Sequence, residues 1–373
     1  MLIEFSAAHR RDSLFLILMG SEFMKFIHIG DLHLGATPDA GMSWASARAD
    51  EIWQALDQVL DAAVAQSVDF ILFSGDVFHR QPLLRELKEL NYKFSKVSPI
   101  RIVFIAGNHD YIKADSRYRS FQWSDNVSFF KSQTMECLYF KQENTYIYGL
   151  SYEDYEIEAP LYDDIRPVNA SGCHILLAHG GDSRHIPMDY KKIAAAGFDY
   201  AALGHIHKPE MFPGGKMAYA GSLVPIDRNE IGAHGYILGE WDGESMHTQF
   251  VVLEGRQYIH FTVAVDGHMP WGMIVDFVSE EIEKRGTQHI YKVILNGFID
   301  PDIDVDMEQI YRLGYVIEVD DQTEPDYDFD ALYAANKDNV IGMYIQRVRS
   351  LPAEESSKKK ALYYGMKALL LKQ

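Results

Sequence analysis

The sequence predicts an α/β fold, with a parallel sheet covered by helices, then a small α+β domain and a helical tail. Three observations carry that expectation. From Met24 onward, short apolar runs alternate with longer segments of helical periodicity. The runs end at Gly-Asp, Gly-Asn or Gly-His rather than at hairpin turns, and the alternation breaks near Leu253. Strands that are apolar throughout and separated by helices belong to sheets buried on both faces.

The elements follow in order. Lys25–Ile29 is the first strand, and Ala47–Ala65 sets Ile52, Ala55, Leu56, Val59, Leu60 and Ala63 on one helical face. Phe70–Phe73 is the second strand, Leu83–Val97 the second helix and Arg101–Ile105 the third strand. Strands at Tyr146–Leu150, His174–Ala178, Tyr200–Leu203, Met217–Ala220 and Tyr236–Trp241 extend the pattern. Beyond Leu253, Tyr258–Val265 and Ile290–Leu295 flank a helix at Gly272–Lys284, and Met307–Leu313 is again helical. The acidic, proline-containing stretch Asp320–Asp328 reads as a connection to helices at Asn339–Ser350 and Ser357–Lys372. The expected division is a catalytic domain over 24–252, a capping domain over 253–325 and a helical segment over 326–373. Residues 1–23 read as an added leader or a mis-assigned start. Their apolar run, Leu14–Met19, is short, and no cleavage site fits before the strand at Met24.

With 47% hydrophobic and 13% aromatic residues the 373-residue chain is globular rather than disordered. No apolar run approaches the roughly 20 residues of a membrane span. Cys137 and Cys173 make neither a CxxC motif nor a disulfide framework, which fits a reducing cytoplasm. The formal net charge is −19, against the basic surface usual for nucleic-acid binding. That charge is uneven, with 5 Lys/Arg against 15 Asp/Glu over 253–325 and 8 against 3 over 337–373.

Five motifs sit where strands end: Gly30-Asp31-Leu32-His33, Gly75-Asp76-Val77-Phe78-His79, Gly107-Asn108-His109-Asp110, Ala178-His179-Gly180 and Gly204-His205-Ile206-His207. In open α/β sheets, loops beyond the strand carboxyl ends converge on one crevice. Asp, Asn and His are ligands for borderline divalent metals, and the lack of thiolates argues against a structural zinc site. The donor count suits two metals, which together hold a nucleophile and stabilise an in-line displacement at phosphorus. His28, His174, His185 and His289 lack such context and read as structural or surface residues.

The ordered set D-x-H, G-D-x-x-H, G-N-H-D, H-G and G-H-x-H resembles the calcineurin-like metallophosphoesterase superfamily over roughly residues 24–240. The forms Gly30-Asp31-Leu32-His33-Leu34-Gly35 and Gly75-Asp76-Val77-Phe78-His79, with Ala220-Gly221-Ser222-Leu223, resemble its SbcD- and YhaO-like DNA repair exonucleases. The resemblance implies a four-layer α/β/β/α sandwich. It implies one metal on Asp31, His33, Asp76 and His207 and a second on Asp76, Asn108, His179 and His205. Mn²⁺ is the implied ion, with Fe²⁺ and Zn²⁺ also compatible with these ligands. His109 would protonate the leaving oxygen, Asp110 would orient His109 through a hydrogen bond, and His79 would contact the phosphate.

The implied substrate is DNA. The implied partners are an SbcC-like coiled-coil ATPase on the C-terminal helices and a second copy through Leu83–Val97. The helical stripes Val340, Ile341, Tyr344, Ile345, Val348 and Leu362, Met366, Leu369, Leu370 suit docking or packing within the chain equally. Arg80, Arg117, Arg119, Arg184 and Arg228 are candidates for a phosphate backbone. A phosphodiesterase or phosphatase acting on cyclic nucleotides or other small phosphoesters would use the same ligands, and stays open as the alternative. The complete ligand set argues against a non-catalytic scaffold.

Overall fold

The computed structural model describes residues 23–370. The expected leader, apart from Phe23, and residues 371–373 lie outside the described residues. The chain divides into two compact units, one ending at Gln257 and one beginning at Tyr258.

In chain order the first unit opens with β1 (Met24–Ile29), α1 (Ala45–Ala65), β2 (Phe70–Ser74), α2 (Leu84–Lys96), β3 (Arg101–Ile105) and β4 (Val127–Phe129). Next come β5 (Glu136–Phe140), β6 (Thr145–Gly149), β7 (Cys173–His179), α3 (Tyr190–Ala194) and β8 (Tyr200–Gly204). It closes with β9 (Glu210–Met211), β10 (Met217–Tyr219), β11 (Gly235–Trp241) and β12 (Met246–Val252). They form two six-stranded sheets, ordered β12-β11-β1-β2-β3-β4 and β5-β6-β7-β8-β10-β9. β1 to β4 run parallel in the first sheet, as do β6, β7, β8 and β10 in the second.

Strand alternation sorts the side chains into layers. Ile27, Ile29, Ile71, Phe73, Ile102 and Phe104 face α1 and α2, which bury Ile52, Leu56, Val59, Leu87 and Leu90 against them. Phe26, Phe70, Leu72, Val103 and Ile105 face the other way and meet Ile175, Leu177, Tyr200 and Ala202 of the second sheet. The outer face of the second sheet is covered by α3 and ordered loops carrying Tyr152, Tyr162 and Ile186. The result is the α/β/β/α sandwich.

The strands missed by the sequence reading, β4, β5, β9 and β12, are short or lie at sheet edges, where one face is wet and hydrophobic periodicity is weak.

The second unit begins with β13 (Tyr258–Val265), α4 (Trp271–Arg285), β14 (Ile290–Ile299), α5 (Met307–Tyr311) and β15 (Val316–Pro325). The three strands form one parallel sheet in that order. Asp320–Pro325 is therefore strand, not connection. Its backbone pairs with β14, while Glu318 and Asp320 lie 2.7 and 3.7 Å from Lys292 Nζ. Charge on an edge strand hid the β signal. Three helices follow, α6 (Phe329–Ala335), α7 (Val340–Arg349) and α8 (Glu355–Leu370). α6 was not anticipated; the Asp328 carboxylate caps it by accepting from the Asp330 and Ala331 amides. Ile345, Val348, Leu362 and Met366 pack on one another with Ile341 and Tyr344, so most of the first stripe and half of the second is used inside the unit. Val340, Leu369 and Leu370 remain exposed. Among the described residues no helix is long and apolar enough to cross a membrane.

His28 sits between the two sheets, with Nδ1 3.0 Å from Tyr200 Oη and Nε2 3.0 Å from Ser74 Oγ. Burial pushes its pKa from 6.5 down to about 3. Between those values the unfolded chain takes a proton that the folded chain refuses, so this residue's contribution to stability is lost as pH falls below 6.5. Urea unfolding of the wild type between pH 6.5 and 4 should therefore lose about 1 kcal/mol per pH unit more than His28→Gln. Equal slopes in the two proteins would contradict this.

Candidate metal centre

The carboxyl ends of β1, β2 and β3 in one sheet and of β7 and β8 in the other come together at a single edge, and each motif occupies one of those ends. Asp31, His33, Asp76, Asn108 and His179 are at most 1% exposed, and His205 and His207 are half-buried. Four of these seven residues adopt left-handed backbone conformations although none is glycine: Asp31 (φ 44°), His33 (φ 50°), Asp76 (φ 47°) and His205 (φ 99°). Each such residue costs of order 1–3 kcal/mol and persists only where its surroundings over-determine it.

Loop-to-loop hydrogen bonds do so here. The His33 amide donates to Asp76 O (2.9 Å), the His79 amide to Leu34 O (3.0 Å) and the His205 amide to both Asp31 carboxylate oxygens (2.8 and 3.0 Å). Two motif glycines allow this closeness. A Cβ at Gly75 would enter the His179 ring, and one at Gly107 would enter the Asp76 carboxylate.

The side chains form two groups about Asp76. Asp76 Oδ2 lies 3.7 Å from His33 Nε2 and 3.5 Å from His179 Nε2, while Oδ1 accepts from the His109 amide at 2.9 Å. On one side His33 Nε2 and His207 Nε2 face each other at 3.0 Å beside Asp31. On the other, Asn108 Oδ1 lies 3.0 Å from His179 Nε2 and 3.1 Å from His205 Nδ1. In every case the second ring nitrogen has its own partner. These are His79 Nδ1 for His33 (3.2 Å), Ser74 O for His179 (2.9 Å), Asp182 for His205 (2.8 Å) and Glu230 for His207 (2.7 Å). Four imidazoles thus each turn one nitrogen inward, as metal-ligating histidines do.

The electrostatics agree. Burial raises the Asp31 pKa. Burial also acts against the Asp76 charge, but the His179 and His33 rings outweigh it and hold that pKa low. Burial likewise opposes charge on His179, yet Asp76 and Asp31 raise it to about 9. His207 is also raised to about 9, by Glu230 and Asp31 against burial. Burial and the neighbouring His179 lower His205 to about 4. The buried carboxylates draw positive charge to the points where the ring nitrogens converge. Divalent cations supply that charge without protons, so the donor set fits a pair of them.

His109 packs edge-on against His33 (4.8 Å between ring centres) and stacks on His79 (5.1 Å) at the mouth of the site. The expected hydrogen bond between Asp110 and His109 is not formed. Asp110 is fully buried and accepts from the Gly107 amide (2.8 Å), the Phe78 amide (3.1 Å) and Tyr118 Oη (2.8 Å), bracing two motif loops. Burial, with the nearby Asp76 charge, raises its pKa to about 7. His109 Nδ1 donates instead to the His79 carbonyl at 3.1 Å.

Three residues near the centre were not read from the sequence. Asp182 and Glu230 stand behind His205 and His207, and His185, expected to be structural or surface, packs 4.6 Å from the His205 ring. They come from loops with no ligand-like spacing. Of the candidate phosphate contacts, Arg80 pairs with Glu86 and Arg184 with Glu156, while Arg119 binds the Ile112 and Lys113 carbonyls.

The model of the calcineurin-like phosphoesterase family matches residues 24–209. The Bacillus subtilis protein named uncharacterized metallophosphoesterase YhaO is 29% identical over 299 residues, 74% of this chain and 72% of its own. The DNA double-strand break repair protein Mre11 of Methanocaldococcus jannaschii is 25% identical, covering 64% of this chain and 69% of its own. The Mre11 protein of Sulfurisphaera tokodaii is 23% identical, covering 89% and 90%. The matched span carries all five strand-end motifs and the buried Asp/His centre, and the chain belongs to the calcineurin-like metallophosphoesterase superfamily, whose members are phosphoester hydrolases.

Proposed function

We propose that this chain is a two-metal, Mn²⁺-dependent nuclease that hydrolyses phosphodiesters in DNA, of the SbcD type. The observation that carries the two-metal part is Asp76, whose carboxylate stands between the two donor groups, 3.7 Å from His33 and 3.5 Å from His179. One ion would be held by Asp31, His33, Asp76 and His207, the other by Asp76, Asn108, His179 and His205. Two divalent cations bound there would supply Lewis acidity for an in-line displacement at phosphorus. DNA as substrate is supported by the Mre11 relatives, named for double-strand break repair.

The chain's own residues do the rest. Hydrogen bonds between the loops keep the ligands in place before substrate arrives, so little reorganisation is needed during reaction. His109 Nδ1 donates to the His79 carbonyl, so Nε2 is the nitrogen that, in the doubly protonated ring, would give its proton to the departing oxygen. His79 supports the His109 ring by stacking and lies at the same mouth, where it would meet the phosphate. Asp110 acts on the loops and not on the His109 proton. In the same proposal an SbcC-like ATPase engages the C-terminal helices, on exposed Val340 and Leu369, and two copies pair through α2, where Leu84 and Tyr92 are exposed.

A second reading, hydrolysis of cyclic nucleotides or other small phosphoesters, is favoured by one observation. The chain carries a net charge of −19, and arginines near the site are already paired with acids.

The test is hydrolysis of linear and single-stranded DNA, bis-p-nitrophenyl phosphate and cyclic nucleotides in Mn²⁺. His109→Ala should lower kcat on DNA by about 10²–10⁴-fold with metal content unchanged. Cleavage of the small esters alone would replace the DNA reading with the second. Chelation should abolish activity while the circular dichroism of the sheets persists, because the apolar cores do not include the ligands. Unfolding on chelation would contradict that.

A further inference from the structure

Each histidine of the centre needs one ring nitrogen inward and the other held. For His33 and His179 the outer nitrogen meets a neutral partner, the His79 ring and the Ser74 carbonyl. For His205 and His207 it meets a carboxylate. His205 turns Nδ1 inward, 3.1 Å from Asn108 Oδ1, and Nε2 outward to Asp182 Oδ2 at 2.8 Å. His207 does the reverse, with Nε2 inward and Nδ1 on Glu230 Oε1 at 2.7 Å. Two histidines of one short segment therefore present opposite nitrogens. An N–H given to a carboxylate fixes the tautomer, orients the ring and makes the inner nitrogen a stronger donor.

We propose that Glu230 and Asp182 are positioning residues, one for each metal position, and that they make the two positions unequal in affinity. This rests on the two-metal reading above, in which His207 serves one ion and His205 the other. The two carboxylates are held very differently. The Glu230 side chain is 15% exposed, and its Oε2 accepts from Ser222 Oγ (3.0 Å) and the Ile226 amide (2.9 Å). The Asp182 side chain is 46% exposed, and its carboxylate is shared among His205, His185 Nδ1 and the Arg184 and His185 amides. Water competes for Asp182 and screens its charge, whereas Glu230 is fixed in a drier place. The His207 position is therefore the tighter one, and the His205 position exchanges its ion first.

The test is a Mn²⁺ titration of the full chain, with free ion read by electron paramagnetic resonance. Imidazole ¹⁵N spectra of the Zn²⁺-loaded protein give the tautomers. The wild type should show two unequal sites. Glu230→Ala should weaken the tighter site by about 10- to 100-fold and leave the other unchanged, and Asp182→Ala should weaken only the other. Glu230→Gln keeps an oxygen for the Nδ1 proton and should recover part of the affinity. Asp182→Ala, at a largely exposed carboxylate, carries the test if the Glu230 variants fail to fold for want of the acceptor at Ser222 and Ile226. In the zinc form His205 should ligate through Nδ1 and His207 through Nε2. Equal sites in the wild type, variants that titrate like it, or both rings ligating through Nε2 would overturn the inference while leaving the two-metal reading intact. A chain that binds no divalent ion overturns both.

Discussion

The structure is organised around two buried carboxylates, Asp31 and Asp76, at the edge where the two sheets meet. A desolvated carboxylate is expensive unless it is hydrogen-bonded and paired with positive charge. Their partners here are backbone amides of other motif loops and imidazole rings. The amides join four of the motif loops in pairs, the His179 ring brings in the fifth, and the rings converge on points where cations are favoured. Most other features of the centre serve this requirement. Left-handed backbone at four motif positions aims the side chains, motif glycines let the loops close on one another, and Asp110 braces two loops.

The sandwich supplies the rigidity. Parallel strands from both sheets end at one edge, so motif residues far apart in sequence are set by regular hydrogen-bonded backbone rather than by free loops. His28 joins the sheets behind the centre through Tyr200 and Ser74, and the Ser74 carbonyl in turn accepts from His179. Packing and chemistry thus share residues. Two hydrogen bonds, through Ser74, link this histidine outside the motifs to His179.

Much of this was legible in the sequence because it is written in local patterns. Apolar runs and helical stripes mark the central strands and long helices, and glycine followed by a metal-ligating residue marks the strand ends. What stayed hidden depends on partners distant in sequence. Asp320–Pro325 is strand only because β14 pairs with it, and its charges read as a connection. Glu230 and Asp182 acquire meaning only when the fold brings them behind His207 and His205. Asp110 shows the opposite error: proximity in sequence suggested a bond to His109, while the backbone turns the carboxylate inward to Gly107, Phe78 and Tyr118. The helical stripes near the C-terminus fit two readings, and packing within the second unit accounts for most of their apolar residues.

Anomalous diffraction from crystals of the protein grown with Mn²⁺ tests the central claim most directly. Two peaks about 3.5–4 Å apart, with the Asp76 carboxylate between them, are the predicted result. A single peak, or two peaks that do not share Asp76, would contradict a two-metal centre built around that residue.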